Sequence, residues 1–306
     1  MKDFTAVEWD DDCQDDCRQI IRLAIREDLD RAHDWTTLAL VPAGAQGSAR
    51  VVARQAGVAC GMRAISLLLS ETGVDLRCQL LVDDGAAVAV DATLAQLDGS
   101  ARDLLTIERV LLNLVGRMSG IATLTSEFVQ RLQGTTTRIY DTRKTTPGWR
   151  RLEKFSVRCG GGHNHRTGLF DAVLIKDNHL AQWRRLQPDA TVADAVRQSR
   201  RFIAQQSADF PRLAQAIVEV EVDSLSQFVD AIAADPDIVL LDNMNLEQLR
   251  EAVNLRDRQA PRIELEASGG VQIDTIAAIA QTGVDRISCG ALTHSARALD
   301  VALDWA

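Results

Sequence analysis

The chain has 306 residues, a net charge of −9 and a hydrophobic fraction of 46%. That is enough apolar material for a substantial core and too much for general disorder, while the acidity argues against a general nucleic-acid or anionic-membrane binder. No apolar stretch approaches the roughly 20 residues of a membrane span, and the acidic N-terminus up to Cys17 lacks the basic and apolar regions of a signal peptide, so a cytoplasmic protein is expected.

In chain order, residues 13–30 carry apolar positions at helical spacing (Ile20, Ile21, Leu23, Ala24, Ile25) and read as an amphipathic helix. Residues 47–60 read as a strand, 61–71 as a helix and 74–82 as a strand. Asp83-Asp84-Gly85 is a turn signal with apolar alternation after it. Residues 102–133 form a long helical stretch with an expected break near Gly120. After Thr135 short β-prone runs at 138–141, 172–176, 216–222, 237–242, 262–267 and 284–289 alternate with helical patterns at 191–207, 224–234, 245–254 and 272–282. Repeated βα units imply a parallel sheet, and their number and rhythm favour a barrel over an open sheet. No G-x-G-x-x-G and no P-loop pattern occurs. The six cysteines lack zinc or disulfide spacing and are expected to be free thiols.

Chemistry in a βα barrel belongs to the C-terminal strand ends. Here those ends present Asp141, Arg143 and Lys144; Lys176 and Asp177; Glu219 and Glu221; Asp242 and Asn243; Ser268, Gly269 and Gly270; and Gly290. Between Arg138 and Arg166 eight Arg or Lys face only two acids, and three of the five histidines (His163, His165, His179) fall at 163–179. A cationic pocket in an acidic chain points to a small, highly charged anion, with Arg suited to bidentate contacts and Lys to a compact point charge. Arg150, Arg151 and Arg158 also fit the exposed face of a helix. The three histidines lack the i, i+4 spacing of a zinc site and sit among repelling cations. Glu-Ala-Ser-Gly-Gly-Val (266–271) and Cys-Gly-Ala-Leu-Thr-His-Ser-Ala (289–296) open helices with small residues, a pattern that cradles phosphate late in barrels. The acids Glu221, Asp242 and Asp177 could then hold Mg²⁺, bind ribose hydroxyls or stabilise an oxocarbenium-like transition state.

Asp-Thr-Arg-Lys-Thr-Thr-Pro-Gly (141–148), Gly-Gly-Gly-x-Asn-His-Arg (160–166), Leu-Ile-Lys-Asp-Asn-His (174–179), Glu-Val-Glu-Val (219–222), Leu-Asp-Asn-Met (241–244), Glu-Ala-Ser-Gly-Gly-Val (266–271) and Ile-Ser-Cys-Gly-Ala-Leu-Thr-His-Ser (287–295) together resemble the quinolinate phosphoribosyltransferase family. So do Asp-Trp-Thr-Thr (34–37), Gly-Val-Ala-Cys-Gly (57–61) and Glu-Arg-Val-Leu-Leu-Asn (108–113). The resemblance covers nearly the whole chain. It implies transfer of phosphoribose from phosphoribosyl pyrophosphate to quinolinate, with loss of pyrophosphate and CO2, to form nicotinate mononucleotide on the route to NAD. It implies Mg²⁺ and a homodimer with a shared site.

The implied fold is an N-terminal α/β sandwich domain, residues 1–115 joined by a C-terminal helix at about 293–306, plus an incomplete, open α/β barrel over 116–292. By the same resemblance Arg109 is supplied by a partner subunit to a substrate carboxylate, Arg143, His165 and Arg166 line the dicarboxylate pocket, and Thr142 binds substrate. Lys144 and Lys176 face substrate and pyrophosphate. Glu221 and Asp242 lie near ribose and metal, and Ser268, Gly269, Gly270 and Gly290 cradle the 5′-phosphate. His33, Asp91 and Phe155 depart from the family pattern outside the site. A paralogue of the molybdenum-transport type shares the Arg-Lys-Thr and His-Arg cores, but the intact Leu-Ile-Lys-Asp-Asn-His and Leu-Asp-Asn elements favour the transferase. A Schiff-base aldolase using Lys176 and a non-catalytic anion binder are the readings from other classes.

Overall fold

The computed structural model describes residues 3–305. Its contacts divide the chain into two compact units, both discontinuous in sequence. One holds Val7–Glu127, Lys144–Gly162 and the chain from Leu292 on; the other holds the N-terminal residues through Ala6, Phe128–Arg143 and His163–Ala291. The sequence reading instead draws one boundary near residue 115, with a return at the C-terminus.

The first unit packs helices against an antiparallel sheet. Helix α1 (Asp11–Leu29) starts at Asp10, whose side chain accepts from the Cys13 amide, and Asp11 and Asp12 complement its dipole. Its apolar stripe buries Cys13, Cys17 and Ile21. The short α2 (Trp35–Leu40) is capped by Asp34. Strands β1 (Gln46–Ala53) and β2 (Gly57–Val58), helix α3 (Met62–Thr72), and strands β3 (Leu76–Leu80), β4 (Ala87–Val88) and β5 (Thr93–Ser100) follow. Asp91 adopts φ 63 at the turn into β5, a left-handed geometry that glycine tolerates most easily. Helix α4 runs unbroken over Ala101–Arg131, without the expected break at Gly120. The six cysteines are free, four of them buried.

The C-terminal residues are a strand and not the expected helix. β12 (Val301–Trp305) pairs antiparallel with β1, setting Val301, Leu303 and Trp305 opposite Ala53, Val51 and Ala49. The sheet order is therefore β12-β1-β5-β3, with β2 and β4 forming a separate ribbon. Gly116 and Gly120 on α4 admit the returning chain: the Leu299 amide donates to the Gly116 carbonyl at 2.8 Å. The strand is thus made by sheet pairing available only in the folded unit, where the resemblance implies a helix. Helix α5 (Arg150–Cys159) also belongs to this unit and buries Glu153 and Lys154 completely. Glu153 is paid back by Arg117 Nη2 at 2.6 Å, the Thr146 amide at 3.1 Å and the Thr146 hydroxyl at 2.8 Å.

The second unit is built on six parallel strands: β6 (Arg138–Tyr140), β7 (Val173–Ile175), β8 (Val218–Val222), β9 (Ile238–Asp242), β10 (Glu264–Ser268) and β11 (Arg286–Ser288). Their order is β6-β11-β10-β9-β8-β7. That is the cyclic order of a barrel with the seam between β6 and β7 left open, as the incomplete-barrel reading expects. Helices α6 (Asp177–Arg184) and α7 (Val192–Gln206) follow β7, and α8 (Leu225–Ile232), α9 (Leu246–Gln259) and α10 (Ile276–Ala280) follow β8, β9 and β10; α11 (Ala291–His294) follows β11, where the chain passes into the first unit. Among the described residues no helix is long and apolar enough to cross a membrane.

Gly120→Ala tests the seating of the C-terminal return. An added Cβ would fall 1.9 Å from the Arg297 carbonyl oxygen, and backbone cannot yield as a side chain can. Overpacking of this kind should lower stability by about 1–3 kcal/mol, read as a shifted midpoint in urea with an unchanged slope.

Candidate active site

Register decides which side chains meet. Glu221 lies beside Leu240, Leu240 beside Glu266, and Glu266 beside Arg286, which in turn lies beside Arg138. Asp242 lies beside Ser268. Because strand side chains alternate with period two, Glu219 and Glu221, Asp242, Glu264, Glu266 and Ser268, Arg286 and Ser288, and Arg138 and Tyr140 share one face. The Val-Glu-Val-Glu-Val of β8 is this alternation in miniature.

At the N-terminal ends of the strands this face is neutralised. Arg286, wholly buried, pairs with Glu264 and places Nη1 3.0 Å from Asp3 Oδ1. Arg138 reaches Asp3 at 2.8 Å and Glu264 at 3.0 Å. Burial pushes the Asp3 carboxyl up, but Arg286, the Phe4 amide, Arg138 and Tyr140 together outweigh it and hold the group below the usual range.

At mid-height sit His165, Glu219 and Glu266, all buried, with one ligand-capable atom of each within 4.8 Å of the others. His165 Nε2 lies 3.0 Å from Glu219 Oε2 and 3.5 Å from Glu266 Oε1. His165 Nδ1 accepts the Arg166 amide at 2.8 Å, which places the ring proton on Nε2, facing the carboxylates. That arrangement turns an Nε2–H, and not a lone pair available to a metal, toward the acids at ion-pair distance. Burial, then repulsion from Glu219, pushes the Glu266 carboxyl up to about 7. His163 instead bridges to Tyr140 beside β6, and His179 Nδ1 accepts the Lys176 amide at 2.9 Å. The three histidines thus take separate structural tasks.

Positive charge gathers at the C-terminal ends. Asp141, fully buried, accepts from Asn164 Nδ2 at 2.6 Å and from the His165 amide at 2.9 Å. It therefore fixes the 163–166 loop beside Thr142 and Arg143, both half-buried. Arg166 is buried and donates to the Ala172 carbonyl at 3.3 Å. Burial and then Arg143 hold its guanidinium below the usual range. Two neighbouring guanidiniums of this kind suit a ligand with two negative charges.

Lys176 follows β7, and its Nζ pairs with Glu221. An ammonium held on a carboxylate is the opposite of the desolvated neutral amine a Schiff-base enzyme needs. Asp242 ends β9 and accepts from Asn243 Nδ2 at 2.8 Å. Asn243 itself adopts φ 54 and donates its amide to the Ser268 carbonyl at 2.9 Å. Gly269 is at φ +95, and a Cβ there would meet Asn243 Oδ1 at 2.1 Å, so the loop after β10 packs onto the loop after β9 only as glycine. Ser268 and Gly290 are half-buried and Gly270 is open. A cavity of about 410 Å³ reaches Arg166 but runs along the edge strand β7 between Leu174, Trp183 and Ala195. It is apolar and lies apart from the Lys176–Glu221–Asp242 strand ends.

Two predicted site residues belong to the other unit. Arg109 is exposed on α4, and Lys144 is exposed with its carbonyl accepting from Thr293 at 2.8 Å. Arg151, placed on a helical face by the sequence reading, pairs with Asp12 and Asp16 at 3.0 Å each. Glu266 and Phe4 were missed by sequence reasoning. Glu266 had a signal, an acid two residues from Glu264 inside an apolar strand; Phe4 had none.

Two family models match the chain: Quinolinate phosphoribosyl transferase, N-terminal domain, over residues 34–119, and the C-terminal domain of the same family over 121–304. The chain is 46% identical over 296 residues to a nicotinate-nucleotide pyrophosphorylase (carboxylating) of Mycobacterium leprae, covering 96% of this chain and 99% of that one. It is 38% identical to a probable nicotinate-nucleotide pyrophosphorylase (carboxylating) of Bacillus subtilis, covering 84% and 82%. The solved nicotinate-nucleotide pyrophosphorylase of Francisella tularensis superposes with a TM-score of 0.86 at 33% identity, covering 99% of this chain and 100% of that one.

The buried acids make a pH prediction. Glu266 has a folded pKa of about 7 against an ordinary 4.5, so the folded chain holds this proton more tightly than the unfolded chain does. Its contribution is full below about pH 4.5 and is lost as pH rises through about 7. Glu266→Gln keeps the shape without the charge. It should flatten that decline and stabilise the protein near pH 8 by on the order of 1 kcal/mol, read from denaturation midpoints on either side of neutrality. A steeper decline in the variant would contradict the shared burial of the two acids.

Proposed function

The chain belongs to the quinolinate phosphoribosyl transferase family, and from the charge arrangement at its parallel strand ends we propose that it transfers phosphoribose from phosphoribosyl pyrophosphate to quinolinate, releasing pyrophosphate and CO2 and forming nicotinate mononucleotide. The observation that carries this reading is the adjacency of Arg143 and Arg166, whose mutual repulsion lowers the Arg166 pKa beyond the effect of burial. A pyridine dicarboxylate supplies two negative charges to relieve it.

In the proposed reaction Arg143 and Arg166 orient the dicarboxylate so that its ring nitrogen faces the anomeric carbon. The nitrogen lone pair forms the new bond as the carbon–oxygen bond to pyrophosphate breaks. Glu221 stabilises the positive charge that develops on the ribose, and Lys176, held by Glu221 until substrate arrives, turns its ammonium to the leaving pyrophosphate. The carboxylate beside the ring nitrogen then departs as CO2. Its bonding pair stays on the ring carbon next to the positive nitrogen until a proton replaces it. Ser268, Gly269, Gly270 and Gly290 are proposed to take the 5′-phosphate, with Thr142 and His165 at the dicarboxylate end and Lys144 assigned by its motif.

Glu221 and Asp242 are hard oxygen donors on one face of neighbouring strands and are both half-open to solvent, which fits Mg²⁺ entering with phosphoribosyl pyrophosphate. When bound, the ion would neutralise the leaving group's charge. A cytoplasmic homodimer is part of the same proposal. Leu169 and Phe170 in the barrel unit are 72% and 70% exposed, and Trp35 and Leu40 in the other unit are 67% and 77% exposed. Such apolar surface suits a subunit contact, across which Arg109 would reach a partner's substrate.

The direct test is turnover. Purified protein with Mg²⁺ should convert quinolinate and phosphoribosyl pyrophosphate to nicotinate mononucleotide, with one CO2 released per product. Turnover of nicotinate with none of quinolinate would overturn the assignment. The shared site has its own test: Arg109→Ala and Lys176→Ala should each lose activity by about a hundredfold or more. Mixing the two under subunit exchange should restore about a quarter of the wild-type sites. Inactive mixtures whose subunits are shown to exchange would refute it.

A further inference from the structure

We infer that Phe4 is a positioning residue for the substrate's carboxylate pocket, acting through His165 on Arg166. The identity of that substrate rests on the function proposed above; the chain of contacts does not.

The N-terminal segment is pinned by charge and delivers an apolar ring. Asp3 is held by Arg138 at 2.8 Å, Arg286 at 3.0 Å and the Tyr140 hydroxyl at 3.1 Å. The next residue, Phe4, is buried, and its ring centroid lies 4.2 Å from that of His165 with the planes tilted by 31°. The Arg286 guanidinium lies 5.6 Å from the same Phe4 ring. Phe4 thus covers one face of an imidazole whose edges are already committed. The His165 amide is tied to Asp141 at 2.9 Å, Nδ1 accepts the Arg166 amide at 2.8 Å, and Nε2 points at Glu219 and Glu266.

With both ring nitrogens turned to protein groups, the work of His165 in this arrangement is to place the Arg166 backbone. A ring free to flip would offer a carbon in place of Nδ1 and leave the buried Arg166 amide without its acceptor, which costs free energy. The Arg166 guanidinium has a hydrogen bond of 3.3 Å to Ala172, so its aim follows its backbone. Phe4 removes the space in which the imidazole could turn.

The test compares Phe4→Ala and Phe4→Leu with wild type by steady-state kinetics, thermal unfolding and ¹⁵N NMR of histidine-labelled protein, with His165 assigned through His165→Gln. Phe4→Ala should raise the KM for quinolinate about tenfold while the KM for phosphoribosyl pyrophosphate stays within about twofold. Phe4→Leu, which keeps apolar bulk, should fall between. In wild type the His165 signal should be that of the Nε2–H tautomer, and in Phe4→Ala it should become a mixture. Unchanged quinolinate KM in a folded Phe4→Ala overturns the inference, as does an equal rise in both KM values. If Phe4→Ala does not fold, the same split in Phe4→Leu decides, at about threefold. If wild type does not turn over quinolinate at all, the proposed function fails. The NMR comparison then judges the contact chain alone, and one unchanged tautomer in wild type and variants overturns it.

Discussion

Charge buried on the inner face of a parallel sheet must be compensated, and this constraint organises the barrel unit along its length. At the N-terminal ends of the strands compensation is internal: Arg286 and Arg138 answer Glu264 and Asp3. At mid-height the excess is negative, and the pair Glu219 and Glu266 is eased by raising the proton affinity of Glu266 and by the Nε2–H edge of His165. At the C-terminal ends Arg166 stands beside Arg143, with burial and that neighbour both disfavouring its charge. Glu219 and Asp171 offset that cost only in part, since the Arg166 guanidinium still lies below its usual range.

The first unit solves a different problem with the same rule. Its helix α5 carries Arg151 outward to Asp12 and Asp16, and Glu153 inward to Arg117 and Thr146. Of the basic run between 138 and 166, Arg151 pairs with Asp12 and Asp16, and Arg158 with Glu8, inside this unit. A cluster of arginines in the sequence is therefore not one site. Part of it closes salt bridges within the first unit, and in the barrel unit Arg138 pairs with Asp3 and Glu264 while Arg143 acts on Arg166.

How much could be read in the sequence follows from how local each signal is. The βα alternation, the barrel order and the strand-end positions of Lys176, Glu221, Asp242 and Ser268 rest on period-two and helical patterns within about ten residues, and the strands end where those patterns end them; that the barrel is left open was implied by the family resemblance. Where the resemblance implies a C-terminal helix, Val301–Trp305 is a strand that forms by pairing with β1, some 250 residues away in the chain. Lys154 is one of four lysines and looked like part of the cationic segment; it is wholly buried in the first unit. Arg109 looks like any exposed helical arginine, and the role proposed for it rests on the family resemblance alone. Phe4 was invisible because two residues of an acidic N-terminus carry no pattern.

The layered charge also explains why binding and catalysis can share groups without conflict. Lys176 rests on Glu221 before substrate arrives, so neither is a bare charge at a solvent-exposed strand end. In the proposed reaction, an anion that draws the ammonium away would leave the carboxylate free at the moment positive charge develops on the ribose. The arginine pair works in the opposite sense. The Arg166 charge is disfavoured by burial and by Arg143; in the proposed reaction it would be relieved by the dicarboxylate, and relieved less once one carboxylate has left as CO2. The loss of one substrate charge thus weakens the hold on the product, so the decarboxylation that makes the reaction one-way would also help to empty the pocket.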